Sequence, residues 1–286
     1  CYVVANVILN PQLYPISSQG KVKMNVAQKN TKETDKLFSK QSHHYAAFRF
    51  DYPAELYDFI QRNSPDTQQV WDCATGSGQA AINLATTFRH VTATDISAEQ
   101  ISHAPRVPNI SFQVLAAENA RFAHQQFDAV CVAQAIHWIN TSSFYALVDH
   151  CLVSEGLLLI VGYAFNEPLT PALDQVINDF QFGVLKDFWP AQTEILFAGL
   201  KDLPFPYPRL PTPEMHIQRS WSLQDYVNYT RTWSATQLYI DQHGTDPCIE
   251  LAERLAEVWP QDKKHLEFRW KLFVLAGNKP ACEGRP

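Results

Sequence analysis

The chain has 286 residues, a formal net charge of −6, 46% hydrophobic content and 18% charged residues. A chain of that length and apolarity can bury a large core and does not have the composition of a disordered segment. Its acidic balance and the lack of a basic stripe argue against a nucleic-acid backbone as the main partner, since phosphate recognition needs a basic face.

No apolar run approaches the roughly 20 residues that span a bilayer, so no membrane partner is expected. YVVANVIL at the start is too short to span and follows no basic segment of the kind that opens a signal peptide. The chain opens on Cys1 and its first methionine is Met24, so residues 1–23 are set aside as upstream or processed sequence. The six cysteines form no CxxC pair and no Cys/His cluster at metal-ligand spacing, so no metal is expected. Cys73 and Cys131 lie within apolar runs and read as buried thiols, which fits a reducing, cytoplasmic location.

In chain order, residues 1–37 are expected to be a poorly structured lead-in. Pro53 marks a helix start, with Leu56, Phe59 and Ile60 at helical spacing. An alternation follows: strand VWDC, helix SGQAAINLATTF, strand VTATD, helix SAEQISHA, strand ISFQVLA, strand FDAVCVAQ, helix TSSFYALVDHCL and strand GLLLIVGY. Continuous apolar strands between helices predict a parallel sheet covered on both faces. Ser97 is a predicted N-cap with Gln100 at its capping-box position. After Tyr163 the pattern changes to helix over PLTPALDQVINDFQFGVLKDFW, an irregular connector LPFPYPRLPTPEM and a strand HIQRSW. Helices SLQDYVNYTRTWSATQLYI and PCIELAERLAEVW, a strand FRWKLFVLAG and a frayed tail NKPACEGRP complete the chain.

GSGQAA, from Gly76 to Ala81, satisfies GxGxxA between a strand and a helix, and Asp95 closes the next strand nineteen positions after Gly76. That arrangement signals a dinucleotide or nucleoside site, in which the second acid accepts hydrogen bonds from ribose hydroxyls. The plainer reading of Asp95 is a turn or cap residue before Ser97. Asp72 discriminates between cofactors. Beside a pyrophosphate a carboxylate repels; beside a sulfonium nucleoside with a positively charged amine it attracts. Its structural alternative is a cap of the turn amides.

DCATGSG resembles the DxGxGxG motif of the class I S-adenosylmethionine-dependent methyltransferases, with Ala74 at the first glycine, where a methyl group is tolerated if φ is negative. TATDIS resembles the ribose-binding motif and LAAENARF the adenine-contacting segment. FDAVCVAQAIHWI resembles the fourth-strand motif, and LVSEGLLLIVGY the fifth-strand hairpin, keeping Gly156 of its glycine pair. More narrowly, YAAFRFDYP, AQAIHW and TWS resemble segments of the trans-aconitate-methyltransferase-like, or type 11, group. The resemblance implies a Rossmann-like α/β fold: a doubly wound, seven-stranded, mostly parallel sheet with a helical lid after the fifth strand. Residues 38–277 form the domain, with a cofactor-binding core at 70–163 and a lid at about 164–260, and the tail is 278–286. The last two strands are expected near 216–221 and 267–275.

The implied cofactor is S-adenosyl-L-methionine, giving S-adenosyl-L-homocysteine, without a metal. The cofactor contacts carried over are Asp72, Ala74, Gly76, Gly78, Asp95, Ile96, Ala117, Glu118 and Gln134, with Tyr45 and Arg49 closing over the cofactor's carboxylate. The substrate pocket is expected from His137, Trp138, Tyr163, Tyr229 and Trp233, with His137 as substrate contact or base. Arg231 and Arg219 are candidates to clamp an acidic acceptor, and solvated arginines are the alternative. The expected reaction is methyl transfer to a carboxylate or hydroxyl oxygen of a small molecule, by a monomer or homodimer with no nucleic-acid or membrane partner. The rivals are an NAD(P)-dependent oxidoreductase, an inactive cofactor-binding protein, and a methyltransferase acting on protein or RNA.

Overall fold

The computed structural model describes residues 50–281. The expected lead-in over 1–37, together with Tyr45, Arg49, Cys1 and Cys282, lies outside the described residues.

Helix α1 (Ala54–Asn63) starts directly after Pro53 and buries Leu56, Phe59 and Ile60. Proline suits that place because its fixed φ matches a helix entry. Strand β1 (Gln69–Cys73), helix α2 (Gln79–Thr87), strand β2 (His90–Asp95), helix α3 (Ala98–Ser102) and strand β3 (Ile110–Val114) follow. Ser97 caps α3 as predicted, accepting the Gln100 N–H at 3.3 Å. Strand β4 (Phe127–Ala133), helix α4 (Thr141–Cys151) and strand β5 (Leu152–Gly162) complete the expected alternation.

The main sheet has six strands in the order β3-β2-β1-β4-β5-β8, where β8 is Phe273–Asn278. Every pair is parallel except β5 with β8. Both faces are buried, and alternate residues explain how. Val70, Leu157 and Leu159 pack on one face with α1 and α2, whereas Trp71, Leu158 and Ile160 pack on the other with Phe144 and Val148 of α4. Side chains of a strand alternate between faces, so a doubly covered strand reads as a near-continuous apolar run. The chain runs outward from β1 through β2 to β3, then returns to place β4 on the other side of β1. Ligands of such sheets bind beyond the strand ends at that reversal.

The single seven-stranded sheet resolves into six strands plus a separate ladder. Strand β6 (His216–Trp221) pairs antiparallel with β7 (Leu266–Lys271) and does not join the main sheet. The segment FRWKLFVLAG, expected as one strand, divides at Leu272: β7 serves the ladder and β8 serves β5. The pattern changes at Leu272, from charges at every second position (Glu267, Arg269, Lys271) to the continuously apolar FVLAG, but the partner of each half is set only by the tertiary pairing.

Three further differences lie beyond β5. The long helix expected from residue 168 is α5 (Pro171–Asn178) running into a π-helical turn (Asp179–Val184). After α6 (Glu194–Phe197), the helix expected over 222–240 breaks into α7 (Leu223–Arg231) and α8 (Ser234–His243). Hydroxyls cause competition at that break: Thr232 Oγ1 donates to the Tyr229 carbonyl at 2.7 Å and Thr236 Oγ1 to the Thr230 carbonyl at 2.8 Å. Helix α9 (Cys248–Val258) forms as predicted. The tail is anchored at its start: Lys279 is buried and donates to the carbonyls of Asp149 and, at 3.0 Å, of Leu152.

Candidate active site

A cavity of about 660 Å³ opens beyond the carboxyl ends of the parallel strands. Asp72, Ala74, Gly76, Asp95 and Ile96 line it from the ends of β1 and β2. Ala117, Glu118 and Gln134 line it from the segments after β3 and β4. His137, Trp138, Tyr163, Tyr229 and Trp233 also line it, so the expected cofactor and substrate residues share one chamber. Gly78 does not line it. At φ +93° it makes the turn into α2, and a Cβ there would meet the Phe112 ring at 3.0 Å.

The turn after β1 has left-handed residues at Ala74 (φ +57°), Gly76 and Gly78. The condition placed on Ala74 in the sequence is not met: its φ is positive, and its methyl group is held in a conformation that favours glycine, at a cost of roughly 1–2 kcal/mol. Two carboxylates support this turn. Asp95 Oδ2 accepts the Gly76 N–H at 2.8 Å and Asp95 Oδ1 the Ser97 N–H at 2.8 Å. Thr75 donates through Oγ1 to Asp72 Oδ2 at 2.5 Å. Asp72 is fully buried, and its Oδ1 accepts no hydrogen bond of good geometry. Burial pushes its carboxyl up to about 7; the Thr75 hydroxyl opposes that rise, the charge of Asp95 adds to it, and the Ala81 amide opposes it weakly.

Glu118 Oε1 accepts the Asn140 N–H at 2.9 Å, tying the segment after β3 to the start of α4. The Gln134 side chain ties β4 to β5: Nε2 donates to the Tyr163 carbonyl at 3.0 Å and Oε1 accepts the Tyr163 N–H at 2.9 Å. Its amide therefore shapes the chamber wall. Trp138 packs on His137 at 4.9 Å between ring centroids. Tyr229 and Tyr163 both pack on Phe50, at 4.9 and 5.0 Å.

Neither proposed clamp reaches the chamber. Arg231 is paired with Asp246 at 2.7 Å, and Arg219 donates to backbone carbonyls of Asp51 and Gln218. No lysine or arginine lines the cavity among the described residues. Lining residues that the sequence did not single out include Phe165, Trp189 and Phe197. The signal available for them was the aromatic density after Tyr163, without a motif to fix which rings turn inward. Cys73 and Cys131 are buried as expected, and burial raises their thiols well above the usual range. Among the described residues, no group of three His, Cys, Asp or Glu is placed to hold a metal, and no helix is long and apolar enough to cross a membrane.

A family model described as a methyltransferase domain matches residues 70–154, the segment from β1 into β5. A solved structure from Anaeromyxobacter dehalogenans, described as a candidate type II methyltransferase, is 30% identical, with 82% of this chain and 99% of that one covered at a TM-score of 0.74. A protein named as a candidate methyltransferase in Dictyostelium discoideum is 26% identical over 87% of this chain and 97% of its own length. A structure titled as a cyclase, SpnF, shares the fold at 15% identity and a TM-score of 0.50. One fold can carry different chemistry, so activity must be argued from the site. With its glycine turn, paired acids and strand order in place, the chain belongs to the class I S-adenosylmethionine-dependent methyltransferases.

Proposed function

We propose that the chain binds S-adenosylmethionine at the carboxylate-lined side of the chamber and methylates an oxygen of a small molecule held beneath the lid, a hydroxyl in preference to a carboxylate. The observation that carries this reading is the charge of the lining. Asp72, Asp95 and Glu118 face the chamber, while no described lining residue is lysine or arginine. A pyrophosphate would meet those acids with no lysine or arginine among the described lining residues to compensate, which argues against a nicotinamide dinucleotide. A sulfonium with an ammonium group fits them.

Asp72 Oδ1, buried and without a well-formed hydrogen bond, is the atom for the cofactor's amine. Asp95 lines the chamber at the end of β2, where the Gly76 and Ser97 N–H groups hold its carboxylate, and we assign it to the ribose hydroxyls. Ala117, Glu118 and Ile96 line the chamber, and we assign the first two to the adenine amine and Ile96 to an apolar wall beside it. Tyr45 and Arg49 are assigned to the cofactor's carboxylate by the motif alone. The bound cofactor supplies a methyl group already activated on sulfur, so the protein's task is alignment and exclusion of water. A carboxylate acceptor would need a cationic clamp, which the described lining lacks; a hydroxyl needs a route for its proton, which His137 provides. A cytoplasmic monomer or homodimer without nucleic-acid or membrane partners completes the reading.

Calorimetric titration with S-adenosylmethionine, S-adenosylhomocysteine, NAD and NADP tests it. Saturable binding of the two sulfur nucleosides alone supports the assignment. Binding of a nicotinamide dinucleotide alone overturns it. Binding of the sulfur nucleosides without turnover on any acceptor would make this an inactive cofactor-binding protein.

A further inference from the structure

Four rings on the lid side of the chamber are not used by the cofactor reading. Phe165 follows β5, Trp189 precedes α6, Phe197 ends α6 and Trp233 sits at the break between α7 and α8. Together they form one cluster: Phe165 lies 5.6 Å from Trp189 and 4.8 Å from Phe197, and Trp189 lies 5.3 Å from Phe197 and 5.5 Å from Trp233. All four line the cavity, and Phe197 is 37% exposed, as a ring at an entrance would be.

The orientation of Trp189 is held by a specific device. Its indole N–H donates at 2.9 Å to the carbonyl of Gln181, which lies in the π-helical turn. A π turn departs from the regular backbone ladder and is a recurrent device near functional sites. Arg254 pins the start of that turn through Asp179 at 2.6 Å. A tryptophan oriented in this way presents a prepared wall to a ligand.

The chemistry of this aromatic wall selects what lies against it. Ring faces and edges accept flat apolar surface. A carboxylate placed among them would lose its hydration with no described lysine or arginine to replace it. A cationic acceptor would be attracted by the rings, but it would face the positive sulfonium of the cofactor, and a protonated amine has no lone pair to attack with. A neutral ring with a hydroxyl meets both conditions.

We propose that Phe165, Trp189, Phe197 and Trp233 form the acceptor-specificity site and that the acceptor class is an uncharged planar aromatic alcohol. This rests on the methyltransferase reading above. In the transfer, the acceptor oxygen forms a bond to the methyl carbon as the carbon–sulfur bond breaks. That bond's electron pair stays on sulfur, giving a neutral thioether, and the hydroxyl proton passes to the His137 imidazole and then to solvent.

The test is calorimetric titration of 2-naphthol, 2-naphthoate and citrate, each with and without saturating S-adenosylhomocysteine, alongside turnover with S-adenosylmethionine. The expected result is 2-naphthol binding at least tenfold tighter than either acid, with formation of its methyl ether. Trp189→Ala should weaken 2-naphthol at least tenfold while S-adenosylhomocysteine affinity changes less than twofold. Trp189→Phe, which keeps a ring and perturbs folding less, should stay within about threefold of the parent for 2-naphthol. Equal or tighter binding of either acid, or an unchanged 2-naphthol affinity in folded Trp189→Ala, overturns the proposal. Failure of S-adenosylhomocysteine to bind overturns the methyltransferase reading instead, and the titrations without it still report the preference of the aromatic wall.

Discussion

Asp95 Oδ2 accepts the Gly76 N–H at 2.8 Å, so the acid that ends β2 fastens the glycine turn that ends β1. Its other oxygen accepts the Ser97 N–H at 2.8 Å and fixes the entry to α3. The structural reading of this residue is thus observed, and the proposed contact with the ribose would be a second use of the same carboxylate. Asp95→Ala should lower S-adenosylmethionine affinity at least tenfold. Two charge-assisted hydrogen bonds are also lost, so stability should fall by about 1–3 kcal/mol. Calorimetry and urea unfolding read the two effects separately.

Asp72 should make cofactor binding depend on pH. Its carboxyl is pushed up to about 7 by burial, so the charge that holds an ammonium group develops as pH rises from 6 to 8. Affinity for S-adenosylmethionine should increase over that range, whereas Asp72→Asn should bind weakly and without that increase. Stability runs the other way. The folded state holds this proton more tightly than the unfolded chain, so the stabilisation is complete below the unfolded pKa of about 4 and is lost as pH rises towards 7. The stability of Asp72→Asn relative to the parent should therefore grow by a few kcal/mol, in order of magnitude, between those limits. Urea unfolding at a series of pH values measures it.

Ala74 and Gly78 should respond in opposite senses to single-methyl changes. Ala74 sits at φ +57°, so Ala74→Gly should stabilise the protein by about 1 kcal/mol, the relief of a left-handed alanine less the added freedom of the unfolded chain. Gly78→Ala combines φ +93° with a ring at 3.0 Å, and should destabilise by about 1–3 kcal/mol. Thermal unfolding of both variants decides it.

Gln134→Ala should loosen the wall between β4 and β5. Its amide makes two hydrogen bonds to the Tyr163 backbone, at 2.9 and 3.0 Å, and the variant loses both. The expected cost is about 1–3 kcal/mol of stability. Turnover should fall further than cofactor affinity, because Tyr163 lines the chamber beside Tyr229 and Phe50. Unfolding curves, calorimetry and initial rates distinguish the effects.

The strands from β1 to β5 and their intervening helices were legible because each carries its own pattern. Doubly buried strands such as β4 read as near-continuous apolar runs, here broken only by Asp128, whose carboxylate accepts the Gln68 and Gln69 N–H groups, and helices α1 and α4 show spaced apolar positions. Beyond Tyr163 that logic weakened. The change at Leu272 from alternating charge to a continuous apolar run does not say which strand each half of FRWKLFVLAG pairs with, and TRTWSA reads as uninterrupted helix until the threonine hydroxyls are seen competing for carbonyls. Gly78 shows the same boundary within a motif: its identity was legible, but its neighbour, the Phe112 ring, was not.

By itself the sequence determined the doubly wound core, the glycine turn and the acids at its strand ends, since backbone conformation and alternation of burial are set by neighbouring residues. The tertiary structure decided which rings from four separate segments meet around the chamber, that Arg231 is paired with Asp246 outside it, and that Ala74 is held at positive φ. These depend on contacts between distant parts of the chain, where packing and charge pairing act on geometry that no local pattern encodes.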